Sequence, residues 1–252
     1  AKRPKHQLSL EQLEKIINGL GAYPIEEITV AGFYEPTYDK QLVEKLTLIR
    51  KAGLAIALFS NGSGLKPELA DELLKLEISR ITINLSTVDE AEYERTRGTK
   101  DLKRVIPNLE YLLTQVQAQA SKTQMVVVML GALDKQHGTN IHQITERFAN
   151  SPVLQFRISP FGDYAGETSP QVLPEPLYHK TLRGCAREYQ NEWLYFSAEG
   201  NALLCCHDYY EKYQLGHIDE TTVAPLYKSE KITEWRQWIS GEEEAPEDFI
   251  CR

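Results

Sequence analysis

The chain has 252 residues, 42% hydrophobic and 25% charged, proportions that fit a globular protein with its own core and exclude a disordered or fibrous one. Its formal charge of −8 argues against a surface built for nucleic acid or anionic lipid. No apolar run reaches about 18 residues, so a membrane span is excluded, and with no secretory pattern ahead of the first helix a cytoplasmic protein is expected.

In chain order, Ser9 and Gln12 form a capping-box pair, and Leu10, Leu13, Ile16, Ile17 and Leu20 fall on one helical face before Gly21. Glu27–Ala31 reads as a strand closing on the turn Gly32-Phe33-Tyr34-Glu35-Pro36. Leu42–Lys51 is a helix stopped by Gly53, and the strand Leu54–Phe59 opens into Ser60-Asn61-Gly62-Ser63-Gly64. The unit then repeats as helix Pro67–Leu76, strand Arg80–Leu85, helix Leu102–Ala120, strand Met125–Leu130, helix Ile141–Ala149 and strand Val153–Ile158. Pro170, Pro174 and Pro176 mark a linker. Beyond it, Trp193–Phe196 and Ala202–Leu204 flank Glu199-Gly200-Asn201 as a hairpin, and a helix covers Glu230–Ile239.

Strands separated by helices predict βαβ units, an α/β fold and a parallel sheet. The polar and glycine-bearing turns follow the strands, at Gly32–Pro36, Ser60–Gly64, Ser86–Thr87 and Ser159–Gly162. That carboxyl-terminal edge is where parallel α/β folds bind ligands. A complete eight-fold barrel needs roughly three more βα units than the chain can hold. A doubly wound sheet and a partial, open barrel both fit the pattern.

The four cysteines are lopsided: none in the first 184 residues, then Cys185, Cys205, Cys206 and Cys251. A disulfide scaffold would spread them more widely. Each one taken alone reads as a buried apolar thiol, Cys205-Cys206 above all beside Leu203-Leu204. Fourteen residues separate Cys185 from Gly200 and four separate Gly200 from Cys205, so the hairpin turn folds Cys205 back toward Cys185. Thiolates converging on a small hairpin suit a 4Fe–4S cluster or zinc.

On the strand edge, Gly32, Gly62 and Gly64 let backbone approach a ligand, while Glu35, Asn61, Asn84 and Ser86 supply donors and acceptors. Singly, each is an ordinary turn residue. The six histidines show no ligand spacing, although His207-Asp208 directly follows two cysteines. No Walker A, GxGxxG or GxSxG segment occurs, which speaks against a P-loop nucleotidase, a dinucleotide enzyme and an α/β-hydrolase.

Taken together, these loops and cysteines resemble the radical S-adenosylmethionine (radical SAM) superfamily, and the tail resembles its SPASM/twitch subclass. Gly32-Phe33-Tyr34-Glu35-Pro36 is similar to the family's GGEP-type segment, with Tyr34 in place of its middle glycine. Ser60-Asn61-Gly62 is similar to the TNG segment. Ile81–Ser86, continued by Tyr93-Glu94-Arg95-Thr96-Arg97-Gly98, is similar to the fourth-strand segment and its YERxRG continuation. In the tail, C-x14-G-x4-C matches the subclass signature, with Leu215-Gly216-His217-Ile218 and a Trp235-bearing helix in order before Cys251.

The resemblance implies a partial (β/α)6 barrel of TIM type over residues 1–169 and a small cluster-binding domain, a β-hairpin plus helix, over 170–252. It implies that Gly32, Tyr34, Glu35 and Pro36 hold the methionyl amino group of S-adenosyl-L-methionine (SAM), beside Ser60, Asn61 and Gly62. Asn84, Ser86 and Arg97 then face ribose and carboxylate. The superfamily's CxxxCxxC is missing from the chain, so its first strand and 4Fe–4S loop are expected upstream of Ala1. Cys185, Cys205 and Cys251 are expected to hold an auxiliary 4Fe–4S cluster, with Cys206 the weaker candidate and a fourth ligand beyond Arg252. The implied chemistry is reductive cleavage of SAM to a 5′-deoxyadenosyl radical and hydrogen abstraction from a peptide or small carbohydrate, with net oxidation favoured. The implied partners are that substrate and an electron donor such as flavodoxin or ferredoxin, with no nucleic acid and no membrane. Two other readings stay open: a SAM-fold binding or scaffold protein without catalysis, and a zinc-stabilised tail.

Overall fold

The computed structural model describes residues 7–32, 34–162, 179–186 and 188–252; the proline linker and Phe33 lie outside them. The chain divides into two compact units, residues 25–161 and residues 1–24 with 162–252.

In the first unit β1 (Glu27–Val30), α2 (Leu42–Lys51), β2 (Ala55–Ser60), α3 (Pro67–Lys75), β3 (Arg80–Asn84), α4 (Glu90–Arg97), α5 (Leu102–Ala118), β4 (Gln124–Gly131), α6 (Lys135–Arg147) and β5 (Leu154–Pro160) follow in turn; α1 (Leu10–Gly19) precedes them in the chain. All neighbouring strands are parallel, in the order β1-β2-β3-β4-β5. A doubly wound sheet reverses its strand order at a switch point. This one never does, which leaves the barrel-type winding. Right-handed crossovers in one direction place the helices on one face of the sheet. Met125, Val127 and Met129 of β4 are fully buried, as are Leu46, Ile49, Ile81, Ile83 and Leu112.

Two helices differ from expectation. The last helix of this unit starts at Lys135 rather than Ile141, because Asp134 caps it by accepting from the His137 backbone N–H at 2.8 Å. Its polar first turn and Gly138 hide it from periodicity. Glu90–Arg97, read as a motif and not as an element, is a helix capped by Asp89.

The second unit contains α1, α7 (Tyr189–Glu192), β6 (Tyr195–Phe196), β7 (Asn201–Leu203), β8 (Gln214–His217), α8 (Val223–Tyr227) and α9 (Glu230–Ser240). The expected capping box on α1 is present, with Ser9 and Gln12 bonded reciprocally. The hairpin is present too, but Asn201 belongs to a strand: Ser197 N–H bonds Asn201 O, and the turn lies within 197–200. A third strand, β8, pairs antiparallel with β7; at four residues its signal is too short to read. The Tyr227 hydroxyl ties the sheet edge together. It accepts from Tyr195 N at 2.7 Å and faces the carbonyls of Tyr195 at 2.5 Å and Leu203 at 3.2 Å. Leu204, Ile232, Trp235, Ile239, Ala245 and Phe249 form a core cluster of this unit, against which Cys185, Cys205 and Cys251 pack.

Candidate functional site

Glu35 sits where β1 ends and caps the short turn Pro36–Tyr38. Its Oε1 accepts from Thr37 N at 3.2 Å, Thr37 Oγ1 at 2.6 Å and Ser60 Oγ at 2.6 Å, and its Oε2 from Asn61 N at 2.6 Å. One carboxylate therefore fastens the loop after β1 to the loop after β2. Charge-assisted bonds of this kind are the strong class. The β2 loop is also held from within. Ser60 Oγ accepts from Gly62 N at 2.9 Å, and Asn61 Oδ1 accepts from Ser63 N at 2.8 Å and Ser63 Oγ at 2.5 Å. From outside, Asn108 of α5 donates to Gly62 O at 2.9 Å, and Tyr38 Oη meets Ser63 Oγ at 3.0 Å. Gly62 has φ +81°, and a side chain there would press on Val105 and Ile83. At Gly64 a Cβ would lie 2.3 Å from Thr37 Oγ1, so only glycine lets the two loops meet.

The third loop joins this edge. Arg97 at the end of α4 donates to Asn84 Oδ1 at 2.7 Å, and Ser86 Oγ accepts from Leu130 N at 3.2 Å. Tyr93 is buried nearby, and burial pushes its phenol up while Arg97 pulls it back. Glu35, Pro36, Ser60, Asn61 and Gly62 thus stand at one interlocked site, with Gly32 exposed and Tyr34 half-buried in the same first loop. Asn84, Ser86 and Arg97 form the adjoining group. Thr37, Ser63 and Asn108 are additions that sequence reasoning missed. Asn108 carried a signal, being a polar residue on the apolar face defined by Val105, Leu109 and Leu112.

In the other unit, Cys185, Cys205 and Cys251 all pack against the core beneath the hairpin. Burial pushes the Cys251 thiol up to about 12, and the neighbouring Cys185 adds to the shift. The Cys205 thiol is pushed up by its hydrogen bond with Cys206, then by burial, with Cys206 and Cys251 adding charge repulsion; the His207 N–H, 3.2 Å from its sulfur, opposes this. Cys206 is also bonded to Tyr195, whose phenol is raised chiefly by burial and then by that thiol. Cys206 thus has hydrogen-bond partners of its own in Cys205 and Tyr195. Asp208 is buried and accepts from Lys212 N at 2.9 Å and Tyr213 N at 2.6 Å, so it shapes the loop that follows the cysteines.

Among the described residues, no three His, Cys, Asp or Glu side chains gather tightly enough to ligate one metal ion. The cysteines of a 4Fe–4S cubane each bind a different iron, so they stand further apart than the ligands of a single ion. Cys205 and Cys251, whose thiols neighbouring cysteines and burial push up, stand with Cys185 around one core, an arrangement that fits a group whose cations would reverse that cost. The donor set, three thiols on one core, is compatible with an iron–sulfur cluster.

No helix among the described residues is long and apolar enough to cross a membrane. Residues 185–252 match the profile of the SPASM iron–sulfur cluster-binding domain. A probable GTP 3′,8-cyclase of Pyrococcus abyssi is 32% identical over 100 residues, covering 40% of this chain and 32% of that protein. The chain thus matches only about a third of that relative's length. The structure of Streptococcus suis SuiB bound to precursor peptide SuiA shares 12% identity at a TM-score of 0.69, over 100% of this chain and 70% of that one. BtrN in complex with AdoMet and 2-DOIA shares 13% identity at a TM-score of 0.58, over 96% of this chain and 79% of that one. These likenesses establish the fold. Residues 1–137, more than half the chain, match the radical SAM superfamily profile, and with the SPASM match and the parallel sheet they make this chain a member of that superfamily, whose cofactors are SAM and 4Fe–4S clusters.

Proposed function

We propose that this chain forms the SAM-binding sheet and the auxiliary-cluster domain of a radical enzyme that abstracts hydrogen from a peptide or small carbohydrate. The observation that carries the reading is the Glu35 carboxylate joining two loops of the ligand edge, with Asn84 and Arg97 fixed on the next strand. The matched relatives supply the substrate classes: the SuiB structure holds a precursor peptide and the BtrN structure holds 2-DOIA.

When bound, a reduced 4Fe–4S cluster and SAM supply one-electron cleavage and hydrogen abstraction, chemistry that belongs to the cofactors. The chain's own residues orient and enclose. Glu35 holds Ser60 and the Asn61 amide in place, so the loop needs little reorganisation to receive the methionyl group. Gly32, Tyr34 and Pro36 bound the same cradle with Gly62. Arg97 and Asn84 present a cation and an amide to carboxylate and ribose, with Ser86 beside them. Cys185, Cys205 and Cys251 hold the auxiliary cluster, and a small electron-transfer protein such as flavodoxin or ferredoxin supplies the electron. A cluster held by these three cysteines would supply an electron acceptor, the chemistry that net oxidation of the substrate requires.

Anaerobic reconstitution of the full-length protein with iron and sulfide tests the reading. SAM is expected to bind and, with a reductant, to be cleaved to methionine and 5′-deoxyadenosine. Arg97→Ala is expected to weaken SAM binding about tenfold or more. Cys185→Ala is expected to lose about four irons. Retention of all iron by Cys185→Ala would overturn the ligand assignment, and failure of the wild-type protein to bind SAM would overturn the function.

A further inference from the structure

A side chain at Gly62 would meet Val105 of α5 at 3.1 Å and Ile83 of β3 at 3.4 Å, so Ile83 lies on the helix-covered face of the sheet. Strand alternation then puts Arg80, Thr82 and Asn84 on the opposite face. The register carries that face across the sheet, because Asn84 pairs with Val128 and Val128 pairs with Arg157. Arg157 therefore stands in one row with Asn84, two strands away, at about 10 Å.

The charged side chains toward the other end of this face, and two of its amides, are matched. Arg80 is bonded to Glu27 at 2.7 Å and Gln124 to Gln155 at 2.7 Å, both toward the amino-terminal ends of their strands. Nearer the ligand edge, Arg97 is bonded to Asn84. Arg157 is exposed on β5, which among the described residues pairs with β4 alone, and among them its side chain makes no hydrogen bond or ion pair. An exposed arginine is ordinarily just solvated. This one is the unmatched cation of a face whose other charges are paired, in the row of a residue assigned to SAM.

Resting on the function proposed above, we infer that Arg157 is a specificity residue that binds a carboxylate of the substrate. Hydrogen abstraction requires the substrate to lie beside SAM on the same edge, and a position two strands from Asn84 leaves room for a second molecule. A lone guanidinium presents one planar fork, which matches one carboxylate in bidentate fashion.

The test uses the reconstituted full-length protein, with and without saturating SAM, and three probes followed by ligand-observed NMR: glutarate, its neutral isostere glutaramide, and GTP. Glutarate is expected to bind about tenfold or more tightly than glutaramide. Arg157→Gln is expected to abolish that preference and Arg157→Lys to keep part of it, with SAM affinity unchanged in both. The inference is overturned if Arg157→Gln keeps the preference, if the wild type shows none, or if GTP binds better than glutarate. It is equally overturned if Arg157→Gln weakens SAM itself, since the guanidinium would then serve the methionyl carboxylate. Absence of SAM binding in the wild type is a different failure: it sinks the proposed function, while the SAM-free titration still decides whether Arg157 selects a carboxylate.

Discussion

In residues 25–161 the strand β4 runs for eight residues, with Met125, Val127 and Met129 fully buried, whereas β6, β7 and β8 of the other unit have two, three and four residues. The contrast extends to the sites. On the sheet edge, Glu35 holds Ser60 and the Asn61 amide, and Ser60 and Asn108 both bond the Gly62 backbone, so the loops are fastened by the sheet unit's own residues. In the C-terminal unit the site residues are thiols, of which Cys205 is made harder to ionise by its bond with Cys206 and by burial, and Cys251 by burial and the neighbouring Cys185. A large sheet can preorganise a site for an organic molecule from its own core. A unit built on strands of two to four residues gains from a staple, and metal ligation is the kind of bond that gives one.

The largest expected effect breaks the comparison at that staple. In the reconstituted full-length protein, Cys205→Ala is expected to lower amide-exchange protection in β7, β8 and α9 by about 100-fold or more, while β4 keeps its protection. Hydrogen exchange read by mass spectrometry distinguishes the segments. Equal loss in β4 would mean that the two units unfold together and that the sheet does not stand on its own core.

The next effect acts on the other side. Glu35→Ala removes the acceptor of four hydrogen bonds and leaves the Ser60 hydroxyl and the Asn61 amide without their partner. It is expected to cost about 2–4 kcal/mol in denaturant unfolding of the sheet unit and to weaken SAM binding, with the iron content of the C-terminal unit unchanged. A cost near zero would show the loops to be held by Asn108 and the glycine turns instead.

Most of the sheet was legible because each strand is a short, mainly apolar run closed by turn residues and separated from the next by a helix, the alternation that βαβ units require. Its ligand edge was legible for the same reason, since Gly32, Ser60–Gly64 and Ser86 all follow strands. What escaped was specified by single capping contacts or by partners distant in sequence. The start of α6 depends on Asp134 meeting one amide, and β8 exists through pairing with Asn201 and Leu203. Asn108 reaches Gly62 across 46 positions, a relation that no local pattern contains. Three cysteines were legible as a group from spacing, while the hydrogen bonding of Cys206 to Cys205 and Tyr195 depends on the hairpin that brings them together.

The smallest expected effect concerns α1, the one long helix packed with the C-terminal unit from the start of the chain. Asp219 accepts from Lys15 Nζ and Gln12 Nε2, each at 2.8 Å, and these two bonds, Lys15 first, hold its carboxyl below the ordinary range. Because the folded value is depressed, the interaction stabilises the unit above the unfolded carboxylate pKa near 4 and is lost as pH falls through that value and below. The pair is exposed, so salt screens it. Asp219→Asn keeps the bond from Gln12 and removes the attraction of Lys15. It is expected to lower exchange protection in α1 less than roughly threefold at neutral pH, to abolish the acid-side dependence of that protection, and to show no difference from wild type in 1 M salt. If instead it loosened β7 and β8 as strongly as Cys205→Ala, the helix rather than the thiols would be the staple of this unit, and the contrast between a self-sufficient sheet and a metal-completed tail would fail.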